Sequence, residues 1–294
     1  MTAAANRAAD DALAAFARGE ISAEIVLTRL LLALGNAPLV LAHLRSAGQS
    51  ELLKVVRMHG EGFARTAALV AQGLAAERRS VASIREQFDT AVRLAPEASV
   101  ALYSLGSAAT LDRTTAEIVA LLGNCGLLGS GIHVLDIGCG IGRIARAVAS
   151  HVASVTGIDV SPAMIAEANQ RCRDIGNVGF RVCAGSDLAE LAGRRFGLIV
   201  AVDAFPYLVA VGADIPERHV ADAAGLLDPG GALVILNYSY RGDLGRDRAD
   251  IAELAARYGF VVERNGTRDF VLWDGATFLL RRGDGTITAR RRRG

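Results

Sequence analysis

The sequence predicts a doubly wound α/β fold, a parallel sheet with helices on both faces, preceded by an all-helical domain. Three observations lead there. From about Gly131, short Val- and Ile-rich runs alternate with amphipathic segments, as in parallel sheets covered on both sides. The run from Val134 to Arg143 passes from an apolar strand through three alternate glycines into a helix start. Before about residue 127, apolar residues recur only at helical spacing, as in Ile25, Val26, Leu27, Leu30, Leu31 and Leu34. The helical domain is placed at residues 1–127 and the α/β domain at 128–294.

Within the helical part, Gly19 and Gly35 mark helix ends, and Pro38 can open a short helix at its first turn. A long helix is expected from Glu51 to Arg79, weakened by Gly60, Gly62 and Gly73. Two capping-box patterns, Ser83 with Glu86 and Thr114 with Glu117, predict helix starts near Ile84 and Thr115. A short helix is expected across Ser99–Leu105. In the second part, strands are expected near His133–Ile137, Ser154–Asp159, Gly179–Ala184, Phe196–Val202, Ala232–Tyr238, Phe260–Arg264 and Thr277–Arg282. Helices are expected near Arg143–His151, Pro162–Ile175, Leu188–Ala192, Glu217–Leu227 and Arg246–Tyr258.

Composition narrows the function classes. The 294 residues carry a formal net charge of +1 and 51% hydrophobic residues. Nucleic-acid binding, which draws on a clustered basic surface, is not expected. Lys54 is the sole lysine; the arginine excess reads as a GC-rich genome. The four cysteines form no C-x-x-C pair, and no His/Cys/carboxylate cluster has metal-ligand spacing, so no metal is expected. Acidic residues interrupt the apolar stretch of the N-terminus, and no apolar run approaches the length of a membrane span. A cytoplasmic location is expected. The Arg290–Arg293 run reads as a solvated tail.

The glycine loop Gly138-Cys139-Gly140-Ile141-Gly142 is the sharpest feature. Glycines there allow tight turns and bring bare backbone and a helix N-terminus to a ligand. The dinucleotide fingerprint G-x-G-x-x-G/A wants a small residue where this chain has Arg143. Asp136 would repel a pyrophosphate but suits a cationic amine. Both arguments count against a nicotinamide-dependent oxidoreductase. Asp159, 21 residues after Gly138, sits where an acid takes hydrogen bonds from ribose hydroxyls, about 20 residues on. Ser161 and Pro162 then open a helix.

VLDIGCGIGR followed by VTGIDVSPAMIAEAN resembles the class I methyltransferase family over about residues 131–282. The resemblance implies a Rossmann-like seven-stranded sheet whose last strand is antiparallel. It implies S-adenosylmethionine as cofactor and S-adenosylhomocysteine as product. Carried over by residue, Asp136, Gly138, Cys139, Gly140 and Gly142 would line the methionine portion. Asp159 would hold the ribose, while Val160 and Met164 flank the adenine. After strand three the family places an acid on the adenine amine. Here Ser186, Asp187 and Leu188 fill that region, and Asp187 either makes that contact or caps the next helix. Val202, ending strand four, completes the expected cofactor set. The Leu226–Leu233 segment resembles the family's L-x-P-G-G turn.

Methyl transfer needs alignment, exclusion of water and, for some acceptors, removal of a proton. Asp203, Tyr207 and Tyr238 are the candidates to orient the substrate. Phe88, Tyr103 and Tyr240 are candidates to cover cofactor and substrate. His219 and His151 are expected to face solvent, and His133 to lie at the far end of its strand. The expected partner is a small-molecule acceptor methylated on oxygen or nitrogen in a biosynthetic pathway. The N-terminal helices would complete its pocket or join two copies as a homodimer. Two further readings stay open: a catalytically silent module that binds the cofactor, and a methyltransferase acting on a macromolecule.

Overall fold

The computed structural model describes residues 2–73 and 80–283; the arginine-rich C-terminal run lies outside them. The first part is helical, with α1 (Ala3–Ala17), α2 (Ala23–Leu34), α3 (Ala37–Ser46), α4 (Ser50–His59), α5 (Glu61–Ala71), α6 (Val81–Leu94), α7 (Pro96–Val100) and α8 (Ala108–Asn124). Local chemistry sets several ends. Ser22 caps α2 by accepting from the Ile25 N–H, and Gly35 ends it at φ +81°. Asn36 caps α3, with Pro38 in its first turn.

Three expectations for this half change. The helix expected over Glu51–Arg79, of which residues 74–79 lie outside the described residues, is two helices, because Gly60 takes φ +48° and ψ −114°, a conformation closed to other residues. Gly62, beyond the break, is a packing glycine: a Cβ there would stand 2.6 Å from the Leu105 carbonyl oxygen. Ser80, not Ser83, caps α6, and Ser107, not Thr114, caps α8. Thr114 is inside its helix, and its hydroxyl donates to the Leu111 carbonyl at 2.9 Å. The short helix predicted across Ser99–Leu105 is α7 followed by a 3₁₀ turn at Leu102–Ser104.

The second part is a seven-stranded sheet of β1 (His133–Ile137), β2 (Ser154–Asp159), β3 (Val178–Val182), β4 (Phe196–Val202), β5 (Leu227–Leu236), β6 (Phe260–Arg268) and β7 (Ala276–Arg282). The order is β3-β2-β1-β4-β5-β7-β6, and β7 runs antiparallel between its neighbours. The predicted strands fall within a few residues of these. Helices α9 (Arg143–Val148), α10 (Pro162–Arg171), α11 (Phe205–Val211), α12 (Asp214–Leu226) and α13 (Leu244–Tyr258) connect them. The predicted Leu188–Ala192 helix is a 3₁₀ turn at Ala189–Leu191, and α11 is an element that periodicity did not indicate.

Strand alternation divides the core. Val134, Val200 and Val234 pack with the N-terminal helices, whereas Leu135, Ile199 and Ile235 pack with α12 and α13 on the other face. One continuous core therefore joins the helical part to the sheet. The order reverses between β1 and β4, so the crevice beyond their C-terminal ends is the switch point where open α/β sheets bind ligands.

Candidate active site

A cavity of about 960 Å³ fills that crevice, roofed by α2, α6, α7 and α11. The glycine loop forms its floor. Gly138, Gly140 and Gly142 all have positive φ, at +68°, +53° and +76°. A Cβ on Gly138 would lie 2.6 Å from the Ala204 Cβ, and one on Gly142 would lie 2.9 Å from the Phe180 ring. Gly142 thus shapes the loop from behind, whereas Gly138, Cys139 and Gly140 face the cavity.

Two carboxylates sit against this floor. Asp159 accepts from the Gly140 N–H at 3.0 Å and the Ser161 N–H at 2.9 Å. Burial pushes its pKa up to about 6, against the pull of those backbone donors. Asp136 is buried, and its Oδ2 has no hydrogen-bond partner among the described residues. Burial pushes Asp136 up to about 7; the nearby Arg143 guanidinium works the other way. An orphaned, buried carboxylate oxygen on a cavity wall calls for a donor from a ligand, and a cationic amine meets that need.

Val160, Met164 and Val202 line the cavity. The loop after β3 behaves differently. Cys183 and Gly185 reach the cavity, but Ser186, Asp187 and Leu188 do not form its wall. Asp187 accepts from the Ser186 hydroxyl at 3.0 Å and the Ala189 N–H at 3.1 Å, so its carboxylate closes an Asx turn ahead of the 3₁₀ turn, whose N-cap is Leu188. The Leu188 N–H is held by Asp222 of α12 at 2.8 Å.

The substrate-side candidates divide similarly. Asp203 follows β4 with φ +55°, and Asn237 follows β5 with φ +64°. Non-glycine residues adopt this region at a cost, and such strain clusters at functional sites. Asp203 Oδ1 accepts from Asn237 Nδ2 at 2.8 Å and from the Tyr240 hydroxyl at 2.8 Å. Asn237 also pairs with the Ala276 backbone through its own backbone N–H at 2.8 Å and its Oδ1 at 2.9 Å. It therefore locks the β4, β5 and β7 ends together. Burial raises the Asp203 pKa, with Asn237, Tyr240 and Arg143 opposing it. The Tyr240 ring is 60% exposed on the cavity while its hydroxyl is tucked against Asp203.

Tyr207 lines the cavity in an aromatic chain with Phe88 at 5.0 Å and Tyr240 at 6.0 Å, both edge-to-face. Tyr238 does not line it. The left-handed turn at Asn237 breaks strand alternation, and Tyr238 joins Leu233 and Ile235 in the core, between Phe205 and Phe278. Phe88 and Tyr103 both reach the cavity. Phe88 is carried by α6, which docks on the β2–α10 turn. There Asp89 accepts from the Ser161 hydroxyl at 2.5 Å and the Ala163 N–H at 3.0 Å. Arg85 donates to the Val160 carbonyl at 3.1 Å.

Several cavity residues escaped the sequence reading. Trp273, on the strap between β6 and β7, packs on Tyr103 at 5.7 Å. The strap is held by Glu117, which accepts from the Leu272 N–H at 3.1 Å, and by the Asp274–Arg29 ion pair at 2.6 Å. Asn237 and Arg143 are two more; Arg143 donates to the Tyr103 hydroxyl at 3.2 Å. His219, expected in solvent, is 2% exposed and lines the cavity. His151 is exposed and His133 begins β1 at its far end, as expected. Among the described residues, no group of three or more His, Cys, Asp or Glu side chains is placed to hold a metal ion. No single described helix is long and apolar enough to cross a membrane.

Comparison with known proteins agrees with this geometry. Residues 134–231 match a family described as a methyltransferase domain. The demethylmenaquinone methyltransferase of Tropheryma whipplei is 36% identical over 118 residues, 40% of this chain and 46% of that protein. The ubiquinone biosynthesis O-methyltransferase of Coxiella burnetii is 29% identical over 143 residues, 48% of this chain and 56% of that protein. The chain thus spans about half the length of these curated relatives. Magnesium protoporphyrin IX methyltransferase from Synechocystis PCC 6803, crystallised with bound S-adenosylmethionine, shares the fold. Its TM-score is 0.53 at 20% identity, over 71% of this chain and 99% of that one. By sheet order, by the glycine loop with Asp136 and Asp159, and by the match that runs from β1 into β5, residues 134–231 of this chain carry a methyltransferase domain of the class I, S-adenosylmethionine-dependent kind.

Proposed function

We propose that the chain transfers a methyl group to an oxygen or nitrogen of a small, planar, largely apolar metabolite. The observation that carries this reading is the Asp203 carboxylate, held on the cavity wall by two donors that both converge on Oδ1. Oδ2 receives neither, so it is free to take a proton from an acceptor O–H or N–H. The glycine loop, Asp136 and Asp159 would hold the cofactor, which supplies an electrophilic sulfonium methyl when bound. Asp203 would orient the acceptor's lone pair along the transfer line and accept its proton; burial raises its basicity toward that task. Phe88, Tyr207 and Tyr240 on one side, and Tyr103 and Trp273 on the other, offer ring surfaces to a planar acceptor.

The cavity volume lies near the upper end of the roughly 300–1,000 Å³ usual for small-molecule sites, which suits a cofactor with a compact acceptor. The roof of N-terminal helices favours a metabolite over a macromolecule. The names of the two curated relatives agree with a small-molecule acceptor in a biosynthetic pathway. The test is release of S-adenosylhomocysteine from S-adenosylmethionine with a panel of catechols, hydroxyquinones and aryl amines. Turnover with at least one member is expected. Cofactor binding without turnover on any panel, extended to peptides and RNA, would leave the silent-module reading standing.

Cofactor affinity should also fall in acid. Below about pH 7, unliganded Asp136 carries a proton, which a cationic amine must displace. Asp159 adds an effect of the same sign below about pH 6. S-adenosylhomocysteine affinity is therefore expected to weaken by about tenfold through Asp136 alone, and by up to about twentyfold with Asp159, between pH 8 and pH 6. Titrations in buffers of different ionisation enthalpy should show proton release at pH 6 and none at pH 8. A flat profile would contradict the assigned role of Asp136.

A further inference from the structure

The acid expected to hold the adenine amine is occupied elsewhere: Asp187 closes an Asx turn on the Ala189 N–H and does not line the cavity. A different group stands beside that loop. His219 lies on α12, one turn before Asp222, and Asp222 is the residue that grips the Leu188 N–H. Residues three apart share a helix face, so the face bearing His219 abuts the loop after β3. Cys183 and Gly185 of that loop line the same cavity as His219.

The protonation state of His219 follows from its contacts. Its Nδ1 lies 2.9 Å from the Ile215 carbonyl oxygen, which can only accept, so Nδ1 carries the hydrogen. Nε2 then presents a bare lone pair and has no hydrogen-bond partner among the described residues. Burial keeps the ring neutral, with Asp222 and Asp187 pulling weakly the other way. Phe205 packs edge-to-face on the ring at 6.4 Å and fixes its plane. The His219 side chain is almost wholly enclosed and lines the cavity, and an acceptor there with no protein donor favours a ligand that brings one.

We propose that His219 Nε2, in place of a carboxylate after β3, accepts a hydrogen bond from the exocyclic amine of the cofactor's adenine. The assignment rests on the cofactor reading above. It makes this chain read the purine with a neutral acceptor from α12. A 6-oxo purine would set a carbonyl oxygen against the Nε2 lone pair and be rejected.

Calorimetric titration of the full chain with S-adenosylhomocysteine and with its 6-oxo analogue, S-inosylhomocysteine, tests this. The wild type is expected to prefer the adenine compound by about tenfold or more, about 1.4 kcal/mol. His219→Leu should reduce the preference below about threefold, His219→Gln should keep part of it through its amide oxygen, and Asp187→Asn should leave it unchanged. Should His219→Leu fail to fold, the imidazole nitrogen resonances of the wild type supply the same test. Nε2 should shift on adding S-adenosylhomocysteine and not on adding the analogue. Retained preference in His219→Leu, its loss in Asp187→Asn, or an unmoved Nε2 resonance overturns the assignment while leaving the cofactor reading intact. Failure of the wild type to bind either nucleoside overturns both.

Discussion

Asp203→Asn should lower kcat by about 10²–10⁴, the range for loss of a general base, while S-adenosylhomocysteine affinity stays within about threefold. The substitution is nearly isosteric. Asparagine tolerates the φ of +55° that Asp203 adopts. Its carbonyl oxygen can still accept from Asn237 and Tyr240, so the ends of β4 and β5 stay tied. What changes is the outward atom, where an N–H₂ donor replaces the open carboxylate oxygen. An acceptor O–H then meets a donor and keeps its proton. Kinetics on an acceptor found in the panel, with titration of S-adenosylhomocysteine alongside, separate the two effects. An unchanged kcat would remove Asp203 from the chemistry.

Gly138→Val should abolish measurable cofactor binding, a loss of at least about 100-fold. Two costs act together. The backbone at φ +68° is strained for any side chain, and a Cβ there would meet the Ala204 Cβ at 2.6 Å. Ala204 cannot step aside by rotating, because its Cβ is fixed to the backbone. Relief must come from moving the loop or the β4 end, and either displaces Asp203 and the bare backbone offered to the ligand. A fall in stability of about 1–3 kcal/mol is expected from the strain and overpacking. Circular dichroism and a thermal melt would confirm that the variant is folded before its binding is read. A folded variant that binds as the wild type does would show that the loop is not the cofactor's floor.

The near wall of the site was legible because its constraints are local. Three alternate glycines are needed for three positive φ values within five residues, and Asp136 and Asp159 lie at the C-terminal ends of adjacent strands, Asp136 one residue before its strand's last. A reader of the chain sees these as one motif. The far wall was illegible because partners distant in sequence make it. The Arg29–Asp274 pair spans 245 residues, and Trp273 meets Tyr103 only after the strap crosses to the helical part. Glu117 shows how a local rule misleads: it fits a capping box with Thr114, yet its carboxylate holds the strap at Leu272. Asn237 left one faint signal, an Asn at a strand end, where left-handed backbone is tolerated. His219 left none, since a helical position alone does not say which face a cavity will touch. The missed break at Gly60 has the opposite origin. Glycine was weighed there as a weak helix former, whereas the backbone uses its freedom to leave the helix altogether.

Calorimetric titration of the purified chain with S-adenosylhomocysteine, with NAD as the control ligand, tests the cofactor site most directly. Saturable binding of one S-adenosylhomocysteine per chain is expected, with no detectable binding of NAD. Binding of NAD instead, or of neither, would contradict it: the glycine loop, Asp136 and Asp159 would then remain as features of the fold without the cofactor that explains them.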